Sequence, residues 1–185
     1  MIFPIYAYGQ PVLRKKALPI QQDYPDFEKV IEDMIETMYA AKGVGLAAPQ
    51  IGRDIRLFVI DTIQLKRKEE DFVGIKKVFI NAEILDESGD PWLYEEGCLS
   101  IPDIHVEIER NPDIRIKYLD TNWNEHIETY DGINARVIQH EFDHIEGVLF
   151  IDRMKPLKRR MINRKLEKIK KGDIEINHPM RFARV

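Results

Sequence analysis

Between Asp26 and Lys42, apolar residues fall at Phe27, Val30, Ile31, Met34, Ile35, Met38 and Tyr39. Spacings of three and four mark one face of a helix, and Gly43 follows as a stop. The stretch GVGLAAPQIG (43–52) is too rich in glycine and small side chains for a regular element and reads as a loop. Beyond it the period shortens. IRLFVID (55–61) and KKVFINAEIL (76–85) read as strands. PWLYEEGCLSIP (91–102), IHVEIER (104–110), IRIKYLD (114–120) and HIETYDG (126–132) read as short extended segments with turns between them. Strands that follow one another without intervening helices pair mainly antiparallel. From Ile133 to Glu146 the helical period returns, with Ile133, Val137, His140, Glu141 and His144 on or near one face and Gly147 at its end. VLFID (148–152) then suits a brief strand, and Pro156 to Lys171 a further exposed helix. The expected fold class is α+β, with mainly antiparallel sheets packed around the 133–146 helix, an N-terminal helix and a basic C-terminal helix.

Length adds that one domain, residues 1–185, can hold a proper core, with about 154–185 as its basic tail. With 44% hydrophobic and 32% charged residues, the composition is that of an ordinary globular protein. A net charge of −4 argues against nucleic-acid binding by the whole surface. Cys98 is the single cysteine, so no disulfide forms within the chain, which favours a reducing compartment. The start, MIFPIYAYGQPVLRKK, lacks a basic segment followed by an apolar one, so it does not read as a secretory signal. No apolar run approaches the roughly 18 residues that span a bilayer. The expected location is the cytoplasm, with no membrane partner.

The candidate chemistry sits on the 133–146 helix. His140 and His144 are four apart in QHEFDH. On a helix they share a face, about 6 Å apart, and can each give one nitrogen to the same metal. Glu141 stands beside the metal without having to bind it, where it can take a proton from water. Catalytic metal sites commonly use three protein ligands and leave one position open. Downstream, Glu146, Asp152, Glu167, Asp173, Glu175 and His178 do not form the extended metalloprotease pattern. Upstream, Cys98 in EEGCLS is the other candidate. A zinc endopeptidase built on HExxH with a different third ligand is the alternative reading.

Three blocks in order, GVGLAAPQ (43–50), EGCLS (96–100) and QHEFDH (139–144), resemble the peptide deformylase family. The likeness runs to about Arg153. It implies a metal-dependent hydrolase that removes the formyl group from N-formylmethionyl nascent peptides and releases formate. It implies that Cys98, His140 and His144 hold one divalent metal, Fe(II) in the cell, with Zn, Ni or Co able to substitute. It further implies that Glu141 is the general base and then the general acid. The Gln50 side-chain amide and the Leu99 backbone N–H would face the formyl oxygen, and Gly45 would belong to the loop that pairs with the substrate backbone. A methionine pocket needs apolar walls, for which Val44, Tyr94, Ile133 and Val137 are the candidates by position. Asp143 and Arg110 have two readings: a buried pair that braces the HExxH helix, or a solvated Asp143. Where an Arg is common in the family, seven residues past the cysteine, this chain has His105. His105, His126 and His178 read as surface or structural residues.

Charge is unevenly spread. From Arg153 to Lys171 ten Lys or Arg face one acid, Glu167, a local +9 in a chain of −4. A run of this kind can be a solvated helix face or a contact to ribosomal RNA phosphates near the nascent chain.

Overall fold

The computed structural model describes residues 1–65 and 72–183; the last two residues of the expected basic tail lie outside them. The fold is α+β with antiparallel sheets. Strands β1 (Ile5–Tyr6), β2 (Gly45–Ala47), β3 (Leu57–Asp61), β4 (Lys76–Ser88), β5 (Trp92–Cys98), β6 (Ile101–Arg110), β7 (Asp113–Leu119), β8 (Glu125–Tyr130) and β9 (Met180–Arg181) alternate with helices α1 (Phe27–Ala40), α2 (Gly132–Ile145), α3 (Pro156–Met161) and α4 (Asn163–Lys171). The main sheet has the order β2-β3-β4-β7-β8, β5 and β6 form a hairpin, and β1 pairs with β9.

Strand β3 explains the layering. All five of its residues are buried, as expected of a strand covered on both faces. Leu57 and Val59 pack into the cluster that holds Val30, Ile31, Met34 and Met38 of α1. Phe58 and Ile60, pointing the other way, pack with Ile133, Ala135, Val137 and Ile138 of α2. Phe79 stacks on Phe58 at 4.7 Å within that second cluster. A third cluster joins Ile101, Ile104 and Ile108 of β6 to Phe150 and to Leu166 and Ile169 of α4.

Helix α2 is buried nearly all round, including the polar Asn134, Arg136, Gln139, Glu141, Asp143 and His144. Buried polar groups on such a helix must find partners. Gly147 ends it in the left-handed region at φ 74°, where an added Cβ would stand 2.8 Å from the Arg14 carbonyl oxygen.

Three local expectations are corrected. GVGLAAPQIG is not an irregular loop: Gly45–Ala47 joins the sheet and Ala48–Ile51 turns as a 3-10 helix, because the small side chains let β2 lie flat against α2. VLFID is not a strand: Phe150–Arg153 is a 3-10 turn. The C-terminal helix is two helices, α3 and α4, separated at Ile162. Among the described residues the one parallel strand pair, β1 with β9, has two residues per strand and left no periodic signal.

Candidate metal centre and its cleft

Cys98, His140 and His144 come from the end of β5 and one face of α2. One ligand atom from each lies within 4.8 Å of the others. The Cys98 Sγ is 3.3 Å from Nε2 of His144. Cys98 stands where the β5–β6 register shifts, between the pairs Glu96↔Val106 and Cys98↔Ile101; a bulge of this kind re-aims a side chain.

The imidazole of His140 is oriented from behind. Its Nδ1 is 3.0 Å from Oε2 of Glu96, which leaves Nε2 for a metal. Glu96 is in turn held by both ends of Arg110, at 2.7 and 2.9 Å, and by Arg136 at 3.0 Å. Arg110 also donates to Asp143 at 2.7 Å, and Arg153 donates to both oxygens of Asp143. Arg136 reaches the backbone oxygens of Ile108 and Trp92 and lies over the Trp92 ring. Burial alone would raise the Glu96 carboxyl; hydrogen bonds to His140 and Arg110 outweigh it and hold Glu96 well below the usual range, as an anion. Burial pushes His144 well below the usual imidazole value, toward the neutral form a metal requires. Burial likewise pushes Glu141 up to about 7, which suits a group that exchanges protons near neutrality.

One buried atom at this spot, Oε2 of Glu141, has no hydrogen-bond partner among the described residues. Together with a thiol and two imidazoles converging on one point, the arrangement fits a divalent cation.

Gln50 is buried, and its orientation is fixed. Its Oε1 accepts the Ala47 N–H at 2.8 Å, so its amide nitrogen faces Ser100 Oγ at 3.2 Å and Cys98 Sγ at 3.5 Å. The same bond reveals the phase of β2. Val44 O accepts from Asp61 N on the β3 side, whereas Ala47 N turns away from β3. Backbone groups alternate along an antiparallel strand, so Gly45 turns its N–H and C=O toward the free edge. An added Cβ at Gly45 would stand 2.7 Å from Cδ of Glu141, so a side chain there would displace the carboxylate.

A cavity of about 670 Å³ opens over these groups. Among the expected site residues, Val44, Gly45, Gln50, Tyr94, Cys98, Leu99, Val137, His140 and Glu141 line it. Ile133 does not: it is packed in the core under α2, one turn too early to reach the cleft. Of the two readings of Asp143, the structure has the buried pair with Arg110. Sequence reasoning missed Glu96, although it lies inside the EGCLS block two residues before the cysteine, and it missed Arg136, one turn before His140. His126 pairs with Asp120 at 2.8 Å. His105 and His178, read as surface or structural residues, both line the cavity, His178 with its neighbours Glu175, Ile176 and Asn177.

Residues 2–160 match the family model for polypeptide deformylase. The chain is 51% identical to a peptide deformylase of Christiangramia forsetii, covering 98% of this chain and 96% of that protein. It is 50% identical to one of Cytophaga hutchinsonii, covering 98% of each. Among solved structures, the peptide deformylase of Legionella pneumophila superposes with a TM-score of 0.81 at 40% identity, covering 94% of this chain and 98% of that one. That of Thermus thermophilus gives 0.82 at 38%, covering 93% and 99%.

Replacing Glu96 by Gln removes the anion behind His140 and leaves two buried guanidiniums short of a counter-charge. Titration with a divalent metal should show affinity lowered by roughly 10- to 100-fold, and urea unfolding should show a loss of about 3 kcal/mol. Unchanged affinity together with an unchanged midpoint would contradict this role.

Proposed function

The chain belongs to the polypeptide deformylase family, and we propose that it performs that family's reaction with Glu141, Gln50 and Leu99 around a metal held by Cys98, His140 and His144. The protein is a metal-dependent hydrolase that removes the formyl group from N-formylmethionyl peptides. The observation that supports these roles best is a cavity lined by a buried carboxylate, a fixed amide donor, Cys98 and His140, with His144 completing the Cys/His/His group behind it.

A bound divalent metal supplies Lewis acidity, which makes water a usable nucleophile at neutral pH. The residues do the rest. An extended peptide adds to the free edge of β2, where the Gly45 N–H and C=O await partners. The formyl-Met side chain enters between Val44, Tyr94 and Val137. Glu141 takes the proton from the attacking water at a carboxylate oxygen that otherwise lacks a partner. As negative charge grows on the formyl oxygen, the Gln50 Nε2–H and the Leu99 N–H donate to it. One such donor is typically worth about 3–4 kcal/mol in the transition state. Glu141 then delivers its proton to the departing amine, and formate leaves.

The thiolate makes the ligand set softer than three imidazoles would be. The likeness to the family, rather than this softness, is our reason for taking Fe(II) as the metal in the cell, with Zn, Ni or Co able to replace it. An iron-loaded, accessible Cys98 is open to oxidation. No described helix is long and apolar enough to cross a membrane, and we take the site of action to be the cytoplasm. Residues 1–185 act as a single catalytic domain, with 154–185 as its basic tail. There, Lys158, Arg160, Arg164 and Lys165 are exposed and are our candidates for contacts to ribosomal RNA phosphates.

Purified without oxygen and loaded with Fe(II) or Ni(II), the protein should release formate from a formyl-Met tripeptide. Glu141→Ala should keep its metal and lose at least about a hundredfold in kcat. Comparable turnover by the variant would remove Glu141 from the mechanism. For the tail, changing Lys158, Arg160, Arg164 and Lys165 to Glu should abolish co-sedimentation with ribosomes at low salt. Undiminished sedimentation would leave α3 and α4 as a solvated face.

A further inference from the structure

The family model ends at residue 160, yet the cleft is completed by residues far beyond it. Glu175, Ile176, Asn177 and His178 are consecutive, and all four line the cavity that holds Cys98, His140 and Glu141. They bridge the end of α4 and strand β9, and both ends of the bridge are secured. Before it, Gly172 caps α4 at φ 76°, and Ile174 packs against the third cluster. After it, Ile5 N–H donates to Pro179 O at 2.8 Å and Ala7 N–H to Arg181 O at 2.9 Å. Gln10 Nε2 donates to Phe182 O at 2.6 Å. Such a fixed segment is a preformed wall.

The wall meets the catalytic groups directly. The His178 imidazole is hydrogen-bonded to the backbone of Leu99, the residue whose N–H faces the formyl oxygen. Its Nε2 is buried without a partner among the described residues. Ile176 keeps 39% of its surface exposed, an apolar side chain left at the cavity edge. Of the charged residues around the mouth, Glu95, Asp103 and Glu175 are exposed acids and Lys42 is an exposed base. The rim is therefore negative on balance.

We propose that residues 175–178 form a substrate-reading wall that contacts the side chains following the formyl-methionine, and that Glu175 biases this reading toward basic residues. The inference rests on the deformylase assignment. Gly45 of the β2 edge and residues 175–178 line the same cavity, and on this proposal the second and third residues of a peptide on that edge pass the rim. There a basic side chain gains a counter-charge, and an acidic one meets like charge in partly exposed surroundings.

The test compares kcat/KM for formyl-Met-Lys-Lys, formyl-Met-Ala-Ala and formyl-Met-Glu-Glu, using full-length, metal-loaded enzyme at low and high salt. The wild type should favour the Lys peptide over the Glu peptide by roughly tenfold at low salt, with the ratio shrinking as salt rises. Glu175→Arg should change that ratio by at least about fivefold toward the Glu peptide, and Glu175→Asp should retain most of the preference. Equal use of the three peptides, or a ratio indifferent to Glu175→Arg, would overturn the wall's role while leaving deformylation intact. Hydrolysis of none of them would overturn the deformylase assignment itself.

Discussion

The carboxylate of Glu96 is the constraint on which the centre depends. It is an anion removed from water, and such a group is tolerated only when its lone pairs are filled. Arg110 and Arg136 fill them, and His140 takes what remains. The consequences spread outward. Arg110 needs Asp143, and Asp143 draws in Arg153. Helix α2 is thereby fixed in rotation and height against the β5–β6 hairpin, which carries Cys98. A metal set drawn from two elements can keep its geometry only if those elements do not slide, and this buried charge network locks them.

The sheet supplies the second requirement. Because β3 is buried on both faces, α1 and α2 are held on opposite sides of it. Strand β2 then sits at the sheet edge directly against the HExxH face. Its glycine is needed twice: the backbone must be open to a partner strand, and a side chain would strike Glu141. The same three residues are thus a strand of the fold and, in the proposed mechanism, an edge for substrate.

Much of this was legible in the sequence. The stripe on α1 and the HExxH face of α2 obey a period that burial enforces. Cys98 and Gln50 were singled out by three short blocks and a resemblance, whereas the Arg110–Asp143 pair was one of two open readings. What escaped has physical reasons. Glu96 looked like one acid among the chain's many, because nothing in a strand's alternation marks a charge as buried. The β2 residues looked like loop because small side chains carry little periodic signal. Ile133 shares a stripe with Val137, yet one turn of helix separates cleft from core. His178 and its neighbours belong to the site through a two-residue parallel pairing across more than 170 positions, beyond the reach of any local pattern.

X-ray absorption spectroscopy of the protein loaded with metal in the absence of oxygen tests the central claim most directly. The account predicts a first shell with one sulfur, at about 2.3 Å for zinc, and two imidazole nitrogens at about 2.0–2.1 Å. The sulfur scatterer should vanish in Cys98→Ala. A shell of nitrogen and oxygen alone in the wild type would mean that Cys98 is not a ligand and that the centre is built from other residues.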